Sequence, residues 1–162
     1  MLELKININS FKRTLIVCIF SLLCLVVSAT EIKFEPDLAV ASCTDKWTER
    51  GVLNGRMFSY CMDKQTEGYA ESLYLYNKYS NIEPVELIDE VVSSAMDTWL
   101  NRREYQMDMV AYEIKEEGEA YLNIAYEVSA GNVDAQKLEI CKSKWLSAQD
   151  PMWSMVEFCL DN

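Results

Sequence analysis

Apolar positions step by three and four along much of this chain, the spacing that lines one face of a helix. Met57, Cys61 and Gln65 lie four apart, and Tyr69, Leu73 and Tyr76 continue the stripe. Across positions 85–99 the residues Ile88, Val91, Val92, Ala95, Met96 and Trp99 keep the same period. Local punctuation agrees. Asp150-Pro151 reads as an N-cap followed by a first helical residue, Glu83-Pro84 as the opening of a middle helix, and Gly131-Asn132 as a break. Positions 110–128 admit two readings. Leu122, Ile124, Tyr126 and Val128 alternate as a strand would around a Glu116-Glu117-Gly118 turn. Alignment with the helical stripe of 57–79 favours a helix there.

That alignment belongs to an internal repeat. Cys43 is followed after three residues by Trp47, then by Met57, Tyr60, Cys61 and Asp63. Cys141, Trp145, Met155, Phe158, Cys159 and Asp161 reproduce the same residues or types at the same spacing, without a gap. Such agreement marks a duplication. A weaker middle copy carries Ala95, Trp99, Met107 and Ala111, with alanine where both cysteines stand elsewhere. Downstream, Gln65-Thr-Glu-Gly68-Tyr-Ala70 lines up with Lys115-Glu-Glu-Gly118-Glu-Ala120. Each unit therefore reads as a shorter helix ending at Cys-x3-Trp, a turn, and a helix opening at Met-x3-Cys. The expected architecture is all-α: three helix-turn-helix repeats, at about 36–80, 84–129 and 132–162, in one small array or bundle.

Positions 1–29 read as a secretory leader: Lys5, Lys12 and Arg13 precede an apolar run of 13 residues at 15–27, and Val27-Ser28-Ala29 fits a cleavage site. The run is shorter than the roughly 20 residues a membrane span needs. Cleavage would leave one domain at 30–162, periplasmic or secreted, with no membrane segment. It would also remove three basic residues and one acidic residue from 15 and 26, leaving 12 and 25, a net charge of −13 instead of −11. That balance opposes nucleic acid and anionic membranes, and suits solubility or a basic envelope or secreted partner.

Of the six cysteines, Cys18 and Cys24 would depart with the leader. An even set in an exported chain points to disulfides, and without any histidine or Cys-x-x-Cys there is no zinc pattern. Four cysteines allow three pairings. The joint change of both positions to Ala95 and Ala111 in the middle copy favours Cys43–Cys61 and Cys141–Cys159. The pattern Cys-x3-Trp…Met-x3-Cys-x3-Gln, carried by Cys43, Trp47, Met57, Cys61 and Gln65, resembles one in uncharacterised secreted bacterial proteins. The resemblance covers the repeat cores, from which the middle copy departs. It implies an exported helical protein and brings no catalytic residues.

Candidate chemistry is sparse. Without histidine the Ser-His-Asp and Cys-His arrangements are excluded, and no Ser-x-x-Lys falls on a plausible elbow. Carboxylates group at Glu86/Asp89/Glu90, Glu113/Glu116/Glu117 and Glu67/Glu71. A small hydrolase needs only two of them in a cleft, but charge runs are usually solvated faces. Met107/Met109 and Met152/Met155 could hold copper(I), although Met57, Met107 and Met155 share one repeat position, as core packing requires. Tyrosines are dense on the second helices, and Tyr69, Tyr74, Tyr76, Tyr112, Tyr121 and Tyr126 form the candidate binding surface. The functional expectation is an exported, non-enzymatic protein-binding module with no cofactor and no metal. The alternatives are an acidic inhibitor or immunity protein against a basic enzyme or toxin, and a carboxylate-dependent hydrolase.

Overall fold

The computed structural model describes residues 30–82, 86–100, 105–147 and 150–162. The leader reading of 1–29 and the Glu83-Pro84 helix start lie outside the described residues. Six helices dominate what is described: α1 (Pro36–Trp47), α2 (Gly55–Tyr79), α3 (Glu86–Leu100), α4 (Met107–Ser129), α5 (Ala135–Trp145) and α6 (Trp153–Asp161). Four two-residue strands accompany them: β1 (Thr48–Glu49), β2 (Val52–Leu53), β3 (Leu146–Ser147) and β4 (Asp150–Pro151).

The helix ends follow local chemistry. Pro36 opens α1, with Asp37 in the first turn and Lys46 in the last, complementing the helix dipole. The Asn54 side chain accepts the Met57 N–H at 3.3 Å and caps α2, and Asp134 accepts the Lys137 N–H at 2.8 Å to cap α5. Gly131, at φ 75°, ends α4 in a Schellman turn. There the Gly131 N–H donates to Val128 and the Asn132 N–H to Glu127. The stretch 110–128 is therefore continuous helix within α4.

Between α1 and α2, Thr48 faces Leu53 and Glu49 faces Val52. Arg50 and Gly51 both hold positive φ, the backbone that a two-residue hairpin turn requires. Between α5 and α6 the register is the same 98 positions later, Leu146 facing Pro151 and Ser147 facing Asp150. Two disulfides close these helix-hairpin-helix units, Cys43–Cys61 and Cys141–Cys159, as the repeat argues. The expected helix start at Asp150-Pro151 is corrected: both residues lie in β4, and α6 begins at Trp153. The ladder decides it, because the Met152 N–H still donates across the ribbon to Trp145, as the Asn54 N–H does to Trp47. The Asp150 N–H meanwhile goes to the Ser147 hydroxyl.

Each hairpin-linked pair packs together, α1 on α2 and α5 on α6, and α3 packs on α4. The second helices also form a row, with α4 against α2 on one side and α6 on the other. Gly68 and Gly118 permit the tight α2–α4 approach. A Cβ on Gly68 would lie 2.3 Å from the Asp108 nitrogen, and one on Gly118 would lie 2.5 Å from the Tyr79 ring. The main core takes Leu75, Ile88, Val91, Val92, Met107, Val110 and Ile114. Full burial of such a side chain contributes about 1.5–3 kcal/mol. Ala95 and Ala111 are both buried in this core. A smaller cluster, Ile124, Cys141 and Val156, fills the α4–α5–α6 junction, and the Trp153 ring packs against both clusters. No helix among the described residues is long and apolar enough to cross a membrane.

Candidate functional site

The α2–α4 row creates an outer groove of about 300 Å³. Gly68 and Ala111 lie along it, and Lys64, Glu67, Glu71, Asp108, Tyr112 and Lys115 complete its lining. Its depth follows from residue size, since two small side chains lie where the helices run closest. Gln65 holds the seam from within: it is 4 % exposed and its Oε1 accepts the Met107 N–H at 2.7 Å. This bond satisfies a first-turn amide of α4 that has no partner within its own helix. Ser72, fully buried on the same stripe, donates to the Gly68 carbonyl at 2.8 Å.

Charges in the groove alternate. Lys64 bridges Glu67 at 3.0 Å. That hydrogen bond is the main cause of a lysine pKa raised above its ordinary value, with the Asp108 charge a lesser one. Tyr74 lies one turn beyond Glu71, is 61 % exposed, and neighbours Lys78. Tyr112 is 56 % exposed. The site is thus an open trough with aromatic rings among both signs of charge. It suits a side chain or helix laid across it better than an enclosed small molecule.

The six tyrosines expected at a binding surface divide evenly. Tyr74, Tyr112 and Tyr126 are exposed. Tyr69, Tyr76 and Tyr121 are half-buried and structural. Tyr69 packs on Phe34 with centroids 5.4 Å apart, and Tyr121 meets Trp153 edge-on at 4.9 Å. The Tyr76 hydroxyl donates to Asp89 at 2.9 Å, and burial first, then that bond, raises its pKa.

The carboxylates also sort by partner. Glu113 accepts the Trp99 indole N–H. Glu117 accepts the backbone N–H and hydroxyl of Ser154 at 3.0 and 2.6 Å, capping α6 much as Gln65 caps α4. Glu67, Glu71, Glu90 and Glu116 are exposed. Met107 is fully buried, and Met57, Met109, Met152 and Met155 are half-buried. Among the described residues no group of three or more histidine, cysteine or acidic side chains could hold a metal ion.

A second cleft, about 310 Å³, joins the end of α4 to α5 and α6, and no sequence signal singled it out. Glu127, Asp134, Glu157 and Asp161 line it beside Lys137. Three of these acids already accept hydrogen bonds: Glu127 from Asn132 at 2.7 Å, Asp134 from the Lys137 N–H, and Glu157 from Asn123 at 3.0 Å. The Lys137 ammonium donates to the Leu160 carbonyl at 2.7 Å. No family model, curated protein or solved structure matches the chain.

Proposed function

We propose that this is an exported, non-enzymatic helical module that binds another protein in the bacterial periplasm or outside the cell. The observation that carries this reading is the open α2–α4 groove, with Tyr112 exposed in its lining and Tyr74 exposed one turn beyond its Glu71. Exposed tyrosines on rigid helices give large contact area at low entropic cost. The two disulfides supply the rigidity and fit an oxidising compartment. Three helix pairs stacked through their second helices offer an extended face of the kind repeat arrays use. Most of the carboxylates grouped in the sequence are engaged in structure or exposed to solvent, which favours binding over catalysis.

The acidic balance sharpens the partner to a basic protein, and an inhibitor or immunity role against a basic enzyme is the specific form. The test has two arms. Fractionation should place the chain outside the cytoplasm, starting near Thr30, with both bridges oxidised. Biosensor binding to basic envelope enzymes should show an on-rate that falls as salt rises. A reduced cytoplasmic chain, or capture indifferent to salt, would refute the reading. The acidic cleft beside α5 carries the second reading, a carboxylate-dependent hydrolase. Turnover of a glycan or peptide substrate that Glu157→Gln abolishes would establish that reading in place of ours.

A further inference from the structure

We draw no further inference here: the strongest candidate, the exposed apolar patch that Val52 and Leu53 form on the first hairpin, carries nothing because nothing in the structure shows what covers it.

Discussion

Gly68→Ala is the sharpest probe of how the helices are held. The new Cβ would lie 2.3 Å from the Asp108 nitrogen, 2.5 Å from the Met107 carbonyl carbon and 2.6 Å from the Asp108 Cα. All three are backbone atoms, so no side chain can swing aside. Ordinary carbon contacts sit near 3.5–4 Å, and α4 would therefore have to retreat by about 1 Å. A retreat of that size stretches the 2.7 Å Gln65–Met107 hydrogen bond beyond useful length. The exposed cost is about 1–3 kcal/mol for a buried amide left without a partner, and overpacking adds about 1–3 kcal/mol. Replacing a helical glycine by alanine returns about 1 kcal/mol. The net loss is then about 1–5 kcal/mol, which for a domain of this size lowers Tm by roughly 2–20 °C. Thermal and urea unfolding followed by circular dichroism, with the bridges oxidised, would measure it. Gly55→Ala is the control, since its Cβ would meet nothing within 4 Å and stability should stay near wild type. A Gly68→Ala variant as stable as wild type would refute the close crossing of α2 and α4.

Three further outcomes follow from the same geometry. Replacing Cys141 and Cys159 together by alanine opens a loop of 18 residues and should cost about 3 kcal/mol in the chain-entropy account; a urea midpoint that does not move would contradict it. Tyr105→Phe removes the hydroxyl that accepts the Glu35 N–H at 2.8 Å and should cost about 1 kcal/mol at neutral pH. Burial holds the Tyr105 pKa above 10.0, so its contribution is whole below that value and is lost as pH rises through the raised one. The variant should lose stability less steeply than wild type above about pH 10, with Tyr76, Lys64 and Lys78, all raised as well, supplying slope that remains, and an equally steep decline would count against this. Glu117→Ala uncaps α6 and should cost about 1–2 kcal/mol, with hydrogen exchange rising first at Ser154; unchanged exchange there would show that the cap is idle.

Helical periodicity was legible because one stripe of α2, from Cys61 through Gln65, Gly68, Ser72 and Leu75 to Tyr79, is buried along its whole length. The bridge pairing was legible because the repeat supplied a copy without it. Helix continuity through 110–128 came from the alignment too, since Gly118 read alone resembles a turn. The hairpins were not legible. Two-residue strands carry no alternation, and Arg50 adopts a positive φ that its residue type does not announce. Asp150-Pro151 misled because the same pair serves a helix start and a ribbon edge, and only the Met152–Trp145 bond separates them. The tyrosines were legible as helix-borne but not by side, because Tyr69, Tyr76 and Tyr121 meet partners from distant segments. The acidic cleft was hidden for the same reason: Asn123 and Glu157 lie 34 positions apart.

The claim that the α2–α4 groove binds another protein is tested most directly by placing a photo-crosslinking amino acid at Tyr112 in the living cell. One discrete adduct with a different, basic protein outside the cytoplasm is expected, lost when the groove residues Glu67 and Glu71 are replaced by lysine. Absence of an adduct at Tyr112 and Tyr74, with adducts forming elsewhere on the exposed surface, would contradict it.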